Sequence, residues 1–195
     1  SSIDLLKLEM AQPNISNIDR PLDFAKRNGF TMADLRFIVS QFKGLRVTVV
    51  GDLIVDEYIT CDAVGMSQED PTIVVTPIDN EVFIGGAGIV ASHASSLGAS
   101  VDFISVTGND ESREYAIDCL SKSGVNVNLF ADEARPTTLK QRFRSKNKSL
   151  LRVSHLYQGA VSIAYQNKML ELIKKNINDT DLLVFSDFNY GCLPQ

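Results

Sequence analysis

Three groups of residues in this chain have the types and spacing to hold a hydroxyl-rich or anionic ligand. The first is Gly85-Gly86, which follows a strand-like run and opens a helix of small residues that stops at Gly98 (VFIGGAGIVASHASSLG, 82–98). Paired glycines after a strand let the backbone turn sharply and approach a ligand closely. The free N–H groups of the helix that follows suit an anion or a hydroxyl-rich ligand. The second group is Asp52 and Asp56 in GDLIVDEY (51–58). Gly51-Asp52 ends the first strand of an α/β pattern, and open α/β sheets bind ligands beyond the carboxyl ends of their strands. Carboxylates there can accept hydrogen bonds from sugar hydroxyls; the same spacing also fits a turn-capping Asp52 and a solvated Asp56 in a loop. The third group is Lys140, Arg142 and Arg144, which share one face of a strand by period-2 alternation, with Lys146 and Lys148 continuing the parity into a turn. Such a row can hold a phosphate or another anion, or it is the solvated face of an edge strand.

Other chemistries find little support. His93 lies among Ala91, Ala94 and Ser95 in the small-residue helix, where a lone histidine is expected to be packed or hydrogen-bonded, and His155 has no partner nearby in sequence. No Cys/His cluster, H-E-x-x-H, G-x-S-x-G or G-x-x-x-x-G-K-[ST] loop occurs. The formal net charge of −5, from 19 basic and 24 acidic residues, argues against nucleic acid as a partner. Aromatic interleaving in the basic row is limited to Phe143, and the chain has no Trp. No apolar run of about 18 residues is present, so no membrane span is expected. The opening SSIDLLKLEM lacks the basic start and apolar core of a signal peptide. Cys61, Cys119 and Cys192 are odd in number and widely spaced, which suits a reducing cytoplasm.

These groups must be positioned by regular elements. Residues 1–30 read as a linker or the tail of a preceding domain, because Asn, Asp, Pro and Ser are frequent and hydrophobic periodicity is poor. A helix follows: Thr31 is an N-cap with Asp34 three residues on, Leu35, Ile38, Val39 and Phe42 form an apolar stripe, and Gly44 is placed to end it. From residue 46 strands alternate with helices. Short β-branched runs at 46–50, 101–106, 125–130 and 182–186 are separated by helical patterns near 87–97, 110–122 and 161–177. This predicts a parallel sheet with helices on its faces. Two further pairs of strand-like runs, 57–62 with 73–83 and 140–144 with 150–154, read as a small β-layer projecting from that sheet.

Together these segments resemble the ribokinase-like (PfkB) carbohydrate kinases, in particular the branch that acts on heptose phosphates. The likeness runs from about Leu45 to Leu193, through VVGDLIVDEY (49–58), GMSQEDPTIVV (65–75), GGAGIVASHASSLGA (85–99), VTGNDESREY (106–115), RPTTLKQRF (135–143), LLRVS (150–154) and LLVFSDFNYGCL (182–193). The resemblance implies an α/β fold, Rossmann-like, with a small β-sheet lid near 57–83 and 140–154 that often pairs with another subunit's lid. It implies residues 31–195 as the N-terminal part of a sugar kinase domain. By the same analogy Asp56 binds sugar hydroxyls, Gly85 and Gly86 form the hinge under the sugar, Lys140 and Arg142 approach the substrate or its phosphate from the lid side, and Asp187 borders the cleft between sugar and nucleotide. ATP and Mg²⁺ are the implied cofactors. The chain departs from the pattern in three ways. Ile89 stands where the family usually has an Asn, and Tyr190 stands where the heptose branch has a Lys. The family's catalytic segment, a Gly-Ala-Gly-Asp-type motif whose Asp is the general base, does not occur in these 195 residues. The expectation is a sugar-binding half that cannot transfer a phosphoryl group alone. The alternative is a degenerate, non-catalytic binding or assembly module, favoured by Ile89 and Tyr190. The opening SSIDLL also resembles the closing segment of cytidylyltransferase domains fused to such kinases.

Overall fold

A computed structural model describes residues 22–146 and 148–194. Most of the lead-in, the SSIDLL segment and Asn147 of the second hairpin turn therefore lie outside the described residues. The chain divides into two compact units after Ile38. Before that division lie α1 (Leu22–Arg27) and the start of α2 (Met32–Ser40). The capping box of α2 forms as its sequence predicts: the Asp34 N–H donates to Thr31 Oγ1 at 3.2 Å and the Thr31 N–H donates to Asp34 Oδ2 at 2.7 Å. The Thr31 hydroxyl, which donates to Asp34 Oδ2 at 2.7 Å, and then the Thr31 N–H hold the Asp34 carboxyl below its ordinary range. None of the residues of α2 is buried. Periodicity fixed the helix and its apolar stripe, but it does not specify a surface for Leu35, Ile38 and Val39 to pack on.

The second unit is built on β1 (Arg46–Gly51), β2 (Leu53–Met66), β3 (Ile73–Gly85), α3 (Gly86–Ser96), β4 (Ser100–Thr107), α4 (Glu111–Lys122), β5 (Val125–Ala131), β6 (Thr138–Ser145), β7 (Lys148–His155), α5 (Ile163–Asn176) and β8 (Leu182–Ser186). One sheet has the order β5-β4-β1-β8 and is parallel at every pairing. Its central strand is covered on both faces, which explains the unbroken β-branched run VTVV. Val47 and Val49 join Val101 and Phe103 against Ala87 and Ala91 of α3 and Ala116 and Leu120 of α4. Val50, Ile104 and Val106 face Val161, just before α5, and Met169 of α5 on the other side. Burying each such large side chain contributes about 1.5–3 kcal/mol. The small residues of α3 are a packing requirement. A Cβ at Gly88 would lie 2.5 Å from Ile84 Cγ2 and 2.8 Å from Leu53 Cδ1, so a larger residue would force the helix off the sheet.

The second sheet has the order β3-β2-β6-β7. Both expected strand pairs are antiparallel, and a parallel pairing of β2 with β6 joins them into one layer. The start of β2 differs from the sequence reading. Strand β2 begins at Leu53, separated from β1 by Asp52 alone, because Leu53, Ile54 and Val55 are a buried apolar run continuous with the core. Asp56 therefore stands in mid-strand and not in a loop. The β2–β6 register then sets Asp56 opposite Lys140 and Tyr58 opposite Arg142, across more than eighty residues of sequence.

Candidate functional site

On β2 the side chains of Asp56, Tyr58 and Thr60 share a face, and the register adds Phe83 and Glu81 from β3 and Lys140, Arg142 and Arg144 from β6. Arg142 Nη1 is ion-paired with Asp56 Oδ1, the side chains being about three-quarters and four-fifths buried respectively. The Arg142 guanidinium lies 5.0 Å from the Tyr58 ring centroid and that of Arg144 lies 5.7 Å from it. Tyr58 meets Phe83 edge to face, with ring centroids 5.7 Å apart. Asp56, Tyr58, Glu81, Phe83 and Arg144 line an open concavity. An acid with one oxygen committed to a cation, beside an aromatic floor, can accept a hydrogen bond from a hydroxyl at the other oxygen while the ring meets the apolar face of a sugar.

Beneath Asp56 lies Gly85. A Cβ there would stand 2.5 Å from Asp56 Oδ2, so glycine is what lets the carboxylate settle over the strand end. Gly86 has φ +57, and a side chain there would drive into the Asp52 carbonyl. The α3 N-terminus is less open than expected. Its Ala87 N–H donates to the Asp52 carbonyl at 2.9 Å, so that group is spent inside the protein.

Asp52 itself is neither a turn cap nor a ligand group. It is 3% exposed, and its carboxylate accepts three backbone N–H groups from the loop after β8. Oδ2 takes Phe188 at 2.8 Å and Tyr190 at 3.2 Å, and Oδ1 takes Cys192 at 3.1 Å. Asp187, at the start of that loop, is exposed, and its Oδ1 accepts the Asn189 N–H at 2.7 Å. Lys140 leaves Arg142 and Asp56 to each other and lies 4.9 Å from the Tyr190 ring centroid. Of the six expected residues, Asp56, Arg142 and Gly85 meet directly, and Gly86 packs on the Asp52 carbonyl and Ile54. Lys140 lies opposite Asp56 in the register with its ammonium on the Tyr190 ring, and Asp187 is exposed in the β8 loop.

Sequence reasoning missed Tyr58, Phe83 and Arg135. Tyr58 was available from parity, two residues after Asp56 on a strand. Arg135 had no signal; it is a buried cation in the loop before β6. Of the histidines, His93 is exposed in the last turn of α3 and is not packed, because it faces away from the small-residue seam. His155 Nε2 lies 3.1 Å from Gln141 Oε1 on the neighbouring strand. All three cysteines are free. Among the described residues no group of three or more His, Cys, Asp or Glu could hold a metal ion.

Burial, and then the Asp52 charge, push the Cys192 thiol up from 9.0 to about 11. Between those values the folded chain binds more protons than the unfolded chain, so stability is complete below about pH 9 and falls as pH rises toward 11. The fall should approach ~3 kcal/mol, read as a drop in urea midpoint that Cys192→Ala flattens.

The comparisons bear on this geometry. A family model described as pfkB family carbohydrate kinase matches residues 45–194. The bifunctional protein HldE of Rhodopseudomonas palustris (strain BisB5) is 33% identical over 152 residues, covering 76% of this chain and 31% of that protein. Its namesake from Geobacter metallireducens is 31% identical over 152 residues, covering 77% and 31%. The chain thus spans about a third of the length of the curated relatives it matches. Among solved structures, a carbohydrate kinase from Agrobacterium tumefaciens aligns with a TM-score of 0.55 at 15% identity, over 72% of this chain and 45% of that one. Arabidopsis thaliana ribokinase complexed with ribose and ATP aligns with a TM-score of 0.51 at 14% identity, over 73% and 45%. At these identities the structures establish the shared ribokinase-like fold.

Proposed function

This chain belongs to the pfkB family of carbohydrate kinases, and we propose that it is the sugar-binding half of an ATP-dependent sugar or sugar-phosphate kinase. The observation that carries the reading is the Asp56–Arg142 pair set over Gly85 and beside Tyr58. Asp56 accepts hydrogen bonds from acceptor hydroxyls. Arg142 fixes the carboxylate and, with Arg144 and Lys140, supplies positive charge for a substrate phosphate. The four side chains contribute binding and orientation, the part of phosphoryl transfer that depends on positioning. The general base and the anion hole for the transferred group belong to a Gly-Ala-Gly-Asp-type segment absent from this sequence. Incubation with ATP, Mg²⁺ and a panel of sugars and sugar phosphates, followed by ³¹P NMR, should therefore show no transfer by these 195 residues; a sugar-phosphate product would overturn the division of labour.

We further read the second sheet as a lid that pairs with that of a second copy. Val64, Met66, Ile73, Val74 and Ile78, toward the outer ends of β2 and β3, are all exposed, a concentration of apolar surface that a monomer has no reason to carry. Sedimentation equilibrium should return a dimer that Met66→Glu with Ile73→Glu dissociates, and a monomeric wild type would refute the pairing. The relatives' greater length and their bifunctional description support reading the first residues as the end of a preceding cytidylyltransferase domain, and the free thiols support a cytoplasmic setting.

A further inference from the structure

Tyr190 is gripped from both sides by buried charges. Its N–H donates to the Asp52 carboxylate at 3.2 Å, and its carbonyl accepts from Arg135 Nη1 at 3.3 Å. Arg135 is in turn fixed at every face of its guanidinium. Nη2 donates to the Gly159 carbonyl at 3.0 Å, Nε is ion-paired with Asp132 at 3.3 Å, and the Tyr157 ring centroid lies 5.2 Å away. Asp52 holds the neighbours Phe188 and Cys192 as well. A surface loop needs no such anchoring. Two buried charges of opposite sign on the two peptide groups that flank one Cα specify where its side chain goes. The side chain so placed is the aromatic ring under the Lys140 ammonium.

We propose that Asp52 and Arg135 are positioning residues that act through Tyr190, fixing its ring as the seat on which Lys140 is held over the substrate-facing side of the lid sheet. A lysine stem is flexible, and an ammonium resting on a ring face gives up much of that freedom before any ligand arrives. The seat also ties the lid strand β6 to the β8 loop of the main sheet. Its bearing on substrate rests on the proposed sugar-binding function; the placement of Lys140 does not.

The experiment is ¹H–¹³C NMR of the whole chain with ¹³Cε-labelled lysine. In the wild type the Lys140 Hε resonances should be displaced upfield by the Tyr190 ring current. Tyr190→Phe should keep the displacement and Tyr190→Leu should abolish it. Arg135→Lys keeps the charge but cannot reach both carbonyls; it and Asp52→Asn should move Lys140 toward the position of solvated lysines while core methyl shifts stay put. If Asp52→Asn does not fold, Arg135→Lys decides alone. A wild-type Lys140 without displacement, or a folded Arg135→Lys that retains it in full, overturns the proposal. Calorimetric titration of the same proteins with a sugar-phosphate panel separates the two readings. No binding by the wild type refutes the sugar-binding function and leaves the seat standing, whereas wild-type binding that Tyr190→Leu leaves unchanged removes the seat's role in recognition.

Discussion

Asp56→Ala should weaken sugar binding roughly 100-fold or more, since hydrogen bonds to a charged group are each worth about 1.5–3 kcal/mol and one carboxylate serves more than one hydroxyl. Asp56 is mid-strand, opposed on one side by Phe83 and on the other by Lys140, so its direction is set by sheet pleat and not by a mobile loop. Arg142 holds one of its oxygens, which leaves the other directed by the pair. Removing the carboxylate also leaves Arg142, about three-quarters buried, without its counter-ion, so part of the loss reflects a guanidinium that swings away. Asp56→Asn separates these effects. It keeps the volume and one acceptor, so it should lose less affinity than alanine while giving an unfolding free energy within about 1 kcal/mol of the wild type. Equal affinity of wild type and Asp56→Ala, measured calorimetrically, would remove Asp56 from the site.

The second large effect is on stability. Asp52→Ala should cost about 3–5 kcal/mol, because the three backbone N–H groups now bonded to its carboxylate would be left inside without acceptors. That is a large share of the 5–15 kcal/mol typical of a domain. Urea denaturation reads the global loss, and hydrogen exchange at Phe188, Tyr190 and Cys192 reads the local one. Protection at those amides should fall more than protection at Val49 or Phe103 in the core strands. Unchanged protection at all three would show that the loop is held by other means.

Local pattern carried most of the main sheet. Its central strands β1 and β4 are buried on both faces and rich in β-branched residues, its helices are amphipathic or small-residue, and period alone separates the two. The site was only partly legible, for a topological reason. Asp56 and the basic row were each visible, and so was the shared face of Lys140, Arg142 and Arg144. The ion pair between them depends on the parallel β2–β6 pairing, a contact across some eighty residues that no local signal encodes. The role of Asp52 was hidden for a related reason. A buried carboxylate that accepts backbone N–H groups from residues 188–192 looks, in sequence, like any acid after a strand. Tyr190, read from the family pattern as a lost lysine, proves to be the ring beneath Lys140.

The kinase reading rests on sugar recognition through Asp56, as proposed above. Isothermal titration of the 195-residue protein with a panel of free sugars and sugar phosphates, nucleotide omitted, tests it most directly. Saturable binding by at least one member, lost in Asp56→Ala while the fold is retained, is the predicted result. No binding across the panel by a folded, wild-type chain would contradict it and leave the chain as an assembly module of the same fold.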